Sequence, residues 1–176
     1  MSIELFVLGA ALLAIASIFV PTLLTQASPL PTSAAVRQTM LALLPEHLDG
    51  PVYELGAGWG GLAVALARRY PATPVQGFEV SVLPWVFSKL RQIIGGQKNL
   101  RFHFGNFQKA DLSAAALVVC YLPGPAMEKL KPKLEAELKP GALVLSNTFA
   151  LAGWQAVEER TAPDIHASRV YLYKVS

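Results

Sequence analysis

Residues 51–70 read PVYELGAGWGGLAVALARRY, and this stretch decides the fold. Val52 to Leu55 is a short apolar run with a β-branched start, the pattern of a buried strand. It stops at Gly56, Gly58, Gly60 and Gly61, and a helical pattern begins behind them and runs to Tyr70. The reading is strand, tight turn, helix. Glycines suit such a turn because, without a Cβ, the chain can take positive φ and bring its backbone against a ligand over the sheet edge.

Two nucleotide-type ligands fit the glycines. Gly56, Gly58 and Gly61 have the spacing of a dinucleotide site, where a pyrophosphate rests on the helix N-terminus. Glu54 argues for the other ligand. An acid two residues before the first glycine repels phosphate and welcomes a cationic group. With Glu54 included, the stretch E-x-G-x-G-x-G resembles the first motif of the class I S-adenosylmethionine-dependent methyltransferases. That resemblance implies that Glu54 serves the amino-acid end of the cofactor and that Gly56, Gly58 and Gly60 pack under its methionine and ribose.

Length and composition bound the answer. The chain has 176 residues, enough for one domain of ordinary size plus an appendage. Its apolar fraction of 53% and mean hydropathy of +0.40 are high, and much of the excess lies in residues 1–24. Between Ile3 and Leu24 the one charged residue is Glu4. As a helix this segment would span about 33 Å, against roughly 30 Å of hydrocarbon core. It is read as a single transmembrane helix over 1–24, followed by a linker over 25–31 that contains Pro29 and Pro31, and by a catalytic domain over 32–176. A cleaved signal peptide competes, but no basic residue precedes the apolar run. Positive charge begins at Arg37, which by the positive-inside rule expects a single-pass protein with its domain in the cytoplasm. A single cysteine, Cys120, and three scattered histidines offer no disulfide and no metal-ligand spacing. A net charge of +3 without runs of Lys/Arg interleaved with aromatics gives no sign of a nucleic-acid surface.

Beyond the glycine stretch, strands and helices alternate. Thr32 or Ser33 can cap a helix that runs to about Leu44, and that helix is expected to pack on the sheet edge and close over the pocket. Val75 to Val80 is a second strand ending at Glu79, about 18 residues after Gly61. In nucleotide-binding α/β folds a carboxylate there accepts the ribose hydroxyls. A helix over Leu83–Ile94, a strand over Asn99–Phe104 and a turn with Asn106 and Phe107 follow. Leu117 to Leu122 is a continuous apolar run suited to a central parallel strand, and it ends at Pro123 where substrates bind in such sheets. Tyr121 there is the candidate for lining the methyl-transfer site. Cys120 reads as an inert strand residue. A helix around Met127–Leu138, interrupted at Pro132, leads to strands over Ala142–Phe149, Gln155–Arg160 and Arg169–Val175, the last an antiparallel hairpin partner.

This order matches an α/β, Rossmann-like seven-stranded methyltransferase sheet with a terminal antiparallel hairpin, preceded by one N-terminal transmembrane helix. In three places the chain resembles the membrane-anchored lysine methyltransferases of the ATP-synthase c-subunit and adenine-nucleotide-translocase type. These are the apolar N-terminal segment before the glycine motif, Gly77-Phe78-Glu79 followed by Pro84-Trp85, and a pattern of Met127, Leu130, Lys133, Leu134, Glu137 and Leu138. The resemblance implies S-adenosylmethionine as cofactor and the lysine ε-amine of a membrane-protein substrate as methyl acceptor, without metal or nucleic acid. It also implies an adenine contact after the third strand, where the family pattern has an acid and this chain has Asn106, with Phe107 able to stack on the ring. Departures from that pattern are Glu54 for Asp, Trp59 for an acid, and an extra residue or two before Pro84. An NAD-linked oxidoreductase and a catalytically inactive membrane-tethered scaffold stay open on the residues alone, although no catalytic His or Tyr-Lys pair follows Val80 at a recognisable spacing.

Overall fold

The computed structural model describes residues 3–25 and 31–176. Seven strands form one sheet: β1 (Val52–Leu55), β2 (Val75–Glu79), β3 (Leu100–Phe104), β4 (Leu117–Cys120), β5 (Leu143–Asn147), β6 (Glu158–Thr161) and β7 (Arg169–Lys174). Their spatial order is β3-β2-β1-β4-β5-β7-β6. The first five are parallel, while β7 runs antiparallel to both β5 and β6. The chain reverses its direction of travel across the sheet between β1 and β4. That crevice is the topological switch point, where open α/β sheets bind ligands at the carboxyl ends of their strands.

Burial explains the strand sequences. β1 and β4 are buried at every position, which is why they read as unbroken apolar runs rather than alternations. Side chains still alternate between two cores. Val52, Leu117, Val119 and Leu145 pack with Val36 and Met40 of α2 (Ala34–Leu43) and with Leu62 and Leu66 of α3 (Gly61–Arg69). Tyr53, Leu55, Val118, Cys120 and Val144 pack on the opposite face with Met127, Leu130 and Leu134 of α5 (Gly124–Glu137). Glu54 therefore projects into the face covered by α2 and α3. Ser33 caps α2 through its side chain, which accepts the Val36 N–H at 3.2 Å. α2 lies across β5, β6 and β7. Pro132 sits inside α5 rather than interrupting it: the position is exposed, so water can serve the Glu128 carbonyl that the missing N–H leaves open.

The expected membrane anchor requires correction. A helix, α1 (Ile3–Thr25), does form, and it contacts α4 (Val82–Gly95). Yet among the described residues no helix is long and apolar enough to cross a membrane. Apolar composition alone does not make a span: a membrane-crossing helix needs length and sustained hydropathy together over the hydrocarbon core. The single-pass membrane localisation inferred from the apolar segment falls with it. The linker expected over 25–31 lies largely outside the described residues.

Candidate cofactor site

The glycine turn is built by its own strain and by its neighbours. Gly56, Gly58 and Gly60 all take positive φ, of 77°, 52° and 75°. Gly60 is the N-cap of α3, and a Cβ there would lie 2.7 Å from Ser88 Cβ and 2.8 Å from Phe102 Cζ. Its requirement for glycine thus comes from α4 and β3 packing beneath it. Gly60→Ala should cost about 1–3 kcal/mol, through left-handed strain plus overpacking, measured by denaturant unfolding without ligand. Unchanged stability would show that the turn can relax.

Glu79 clamps this turn. It is buried at the end of β2, and its carboxylate accepts the Gly58 N–H through Oε2 at 2.7 Å and the Ser81 N–H through Oε1 at 2.7 Å. One backbone N–H that a pyrophosphate would need is therefore already held by a carboxylate, and phosphate brought there would meet negative charge. The glycine spacing of a dinucleotide site is present without its electrostatics.

Glu54 is 5% exposed, and its Oε2 has no hydrogen-bond partner. Burial pushes its carboxyl well above the usual carboxylate range. A backbone hydrogen bond from Ala63, in the first turn of α3, opposes that push, and the nearby Glu79 adds to it. A buried acceptor left open in this way is a position for a donor from outside the chain, and a cationic donor would also relieve the cost of ionising it.

The cavity that Glu54 opens into is lined by Gly56, Gly58, Gly61, Trp59, Cys120 and Tyr121, and closed on its outer side by Thr32, Arg37 and Arg91. Of the expected site residues, the fold brings Glu54, Gly56, Gly58 and Tyr121 to one cavity. Glu79 holds the floor of the turn from below, and Gly60 supports it by packing. Tyr121 stacks on Phe149, with ring centroids 6.4 Å apart, where the ends of β4 and β5 meet. Asn106 and Phe107 do not line this cavity. Asn106 is exposed and caps a short 3-10 turn after β3, its Oδ1 accepting the Gln108 N–H at 2.9 Å, and Phe107 packs at the margin of the α5-side core. Cys120 is buried, with its thiol pushed up to about 12 by burial, so it is no nucleophile at neutral pH.

Sequence reasoning missed Arg37, Arg91 and Thr32. Each reads as an ordinary polar residue on the solvent side of a helix or loop, and nothing in its local pattern signals convergence on β1. Trp59, noted as a departure, lines the cavity and packs edge-on against Phe87 of α4 at 5.5 Å.

A seven-stranded sheet with this order, a glycine turn at the switch point and acids at the ends of β1 and β2 define the class I S-adenosylmethionine-dependent methyltransferases. By its match to the model of the ANTKMT methyltransferase domain over residues 54–158, the chain belongs to that family. It is 32% identical over 152 residues to a protein-lysine N-methyltransferase of Saccharolobus islandicus, covering 82% of this chain and 91% of that protein. It is 30% identical to the mouse adenine nucleotide translocase lysine N-methyltransferase over 77% of this chain, and spans 62% of that relative's length. Among solved structures, an RNA methyltransferase from Salinibacter ruber in complex with S-adenosyl-L-homocysteine superposes with a TM-score of 0.75 at 26% identity, covering 83% of this chain and 94% of that one. The protein is an S-adenosylmethionine-dependent methyltransferase. The unpaired Glu54 oxygen and the strained, glycine-floored turn fit that cofactor's cationic amino-acid end. The oxidoreductase and inactive-scaffold readings are set aside.

Proposed function

We propose that this enzyme methylates the ε-nitrogen of a lysine in a protein substrate, with a membrane protein as acceptor. The donor half of the reading is carried by the open, buried Glu54 oxygen at the carboxyl end of β1. Support for the acceptor half comes from the names of its relatives, three of which are lysine N-methyltransferases of a c-subunit or a translocase. When bound, S-adenosylmethionine supplies an electrophilic methyl group on a sulfonium; the remaining work falls to the chain. Glu54 holds the amino-acid end, and Glu79 keeps acceptor capacity for the ribose hydroxyls beyond its two backbone bonds. A free lysine, with a pKa of about 10.4, is mostly protonated at neutral pH and cannot attack. Tyr121 and Phe149 line the end of β4 with rings that exclude water; this desolvation lowers the lysine pKa, so the ammonium gives up its proton to solvent on entry and reacts as the neutral amine. Alignment of the two reactants then supplies much of the rate.

The test is incubation of the full chain with methyl-labelled S-adenosylmethionine, membrane and soluble protein fractions, and RNA. Label recovered as methylated lysine in the membrane-protein fraction is expected. Label confined to RNA would overturn the lysine reading, and label confined to soluble proteins would overturn the membrane-protein acceptor.

The adenine contact belongs to the same proposal. Asn106 and Phe107 stand in the turn after β3, beyond Glu79, where the base would reach if the ribose lies on Glu79. Asn106→Asp should keep the cap on Gln108 and keep or tighten cofactor binding. Asn106→Leu should weaken binding by about 1–3 kcal/mol, the cost of an unpaired polar group. Equal affinities by titration calorimetry for the parent and both variants would remove Asn106 from the site.

A further inference from the structure

The cavity over the glycine turn carries charge of both signs. On its floor is the Glu54 carboxylate with one oxygen unpartnered. At its outer wall stand two guanidiniums from different helices, Arg37 of α2 and Arg91 of α4. Both converge on the first residue of α3: a Cβ built on Gly61 would lie 3.7 Å from Arg91 Nη1 and 3.9 Å from Arg37 Nη1. Among the described residues neither guanidinium takes part in an ion pair or donates a hydrogen bond; Arg91 rests over the Phe87 ring at 5.7 Å. Two unneutralised cations do not gather at the positive end of a helix without a reason, because each repels the other and the helix dipole repels both. The arrangement suits an anion held there while a cation is held deeper in the same cavity, at Glu54.

We infer that Arg37 and Arg91 form the carboxylate-binding half of a zwitterion site, with Glu54 as the ammonium-binding half, so that the cavity recognises the α-amino-acid head of the methyl donor. The inference rests on the cofactor reading above and adds to it the residues that choose between an intact and a decarboxylated amino-acid tail. Arg37 precedes the family-matched residues 54–158, so α2, through Arg37, completes the cofactor site from outside that region. A guanidinium fits the role because its planar fork meets both carboxylate oxygens, which a lysine ammonium cannot do. The side-chain types account for the order of filling. Glu54 is buried and fixed, whereas Arg37 is half-buried and Arg91 exposed, so the arginines can swing onto a head group already seated on Glu54.

The experiment is calorimetric titration of the full chain with three compounds: S-adenosylhomocysteine, its decarboxylated amine analogue, and methylthioadenosine, which lacks the amino-acid head. The parent should bind S-adenosylhomocysteine at least about 10-fold more tightly than the decarboxylated analogue, the scale of hydrogen bonds to a charged group. In Arg37→Gln with Arg91→Gln that preference should vanish, while affinity for methylthioadenosine stays at the parent's value and reports an intact fold. Arg37→Lys should recover part of the preference. Variants that still prefer S-adenosylhomocysteine by the parent's margin would overturn the assignment, and so would an equal loss for all three compounds. A parent that binds none of the three would instead overturn the cofactor reading on which the inference rests.

Discussion

Replacing Glu79 with alanine should weaken both the enzyme and its grip on the cofactor, and more severely than loss of a ribose contact alone would do. In the folded chain this carboxylate holds the Gly58 and Ser81 N–H groups, each at 2.7 Å, inside a region with almost no solvent access. Alanine leaves both donors without a partner, at about 1–3 kcal/mol each. Stability without ligand should therefore fall by roughly 2–5 kcal/mol, and cofactor affinity by about 10- to 100-fold or more as the turn loosens. Glu79→Gln is a sharper probe, since its amide oxygen can replace one acceptor while its NH2 group meets the other N–H as a second donor. It should retain part of the stability. If thermal unfolding of Glu79→Ala without ligand matches the parent, the clamp on Gly58 is not a feature of the molecule.

Glu54→Gln should do the reverse. Shape is kept, the charge disappears, and the folded state no longer has to bury a carboxylate with an open oxygen. Unliganded stability near neutral pH should be equal to the parent's or higher, whereas affinity for S-adenosylmethionine and for its demethylated product should drop by at least about 10-fold, the worth of hydrogen bonds to a charged group. The pH dependence has a defined sign. Burial raises the folded-state pKa of Glu54 above its unfolded value of about 4.3. The folded state then binds the proton more tightly than the unfolded state. Its contribution to stability is full below the unfolded pKa and is lost as pH rises through the raised folded value. Denaturant unfolding across that window should show a downward slope with pH that Glu54→Gln removes. Binding should run the other way, because the cationic head group favours ionised Glu54: affinity should rise with pH over the same window, with proton release visible in buffers of different ionisation enthalpy. A variant that binds the cofactor as the parent does, or a parent without the slope, would sink the role given to Glu54.

The sequence by itself determined the class of fold, and the resemblance carried by Glu54 and its glycines implied the donor side of the chemistry. Periodicity and punctuation sufficed, because β1 and β4 are buried on both faces and so read as unbroken apolar runs, and because glycines at φ near 77°, 52° and 75° admit few substitutes. Glu54 was legible for a local reason: an acid in an apolar strand end is conspicuous. The seven strands and the antiparallel hairpin at the end were legible in the same way, to within three residues at each boundary, the start of β6 being furthest off at Glu158 against the expected Gln155; the order of strands in the sheet came from the structure. The N-terminal segment marks the limit of that method, since apolar composition was read as a membrane span and no described helix meets that length and hydropathy.

What only the tertiary structure decided are the contacts between residues far apart in the chain. Gly60 reads in the sequence as a residue under the cofactor, yet its need for glycine comes from Ser88 and Phe102, 28 and 42 positions away, which occupy the space a Cβ would fill. Glu79 reads in the sequence as a ribose ligand, and the fold shows that it also fastens the glycine turn. Arg37 and Arg91 lie on the polar sides of two amphipathic helices and carry no local signal at all. They become a pair only because α2 and α4 both pack on the same face of the sheet as α3 and aim at its first residue. Local pattern reports which way a side chain faces; which partners it meets there is set by how the elements cross, and that information is distributed over the whole core.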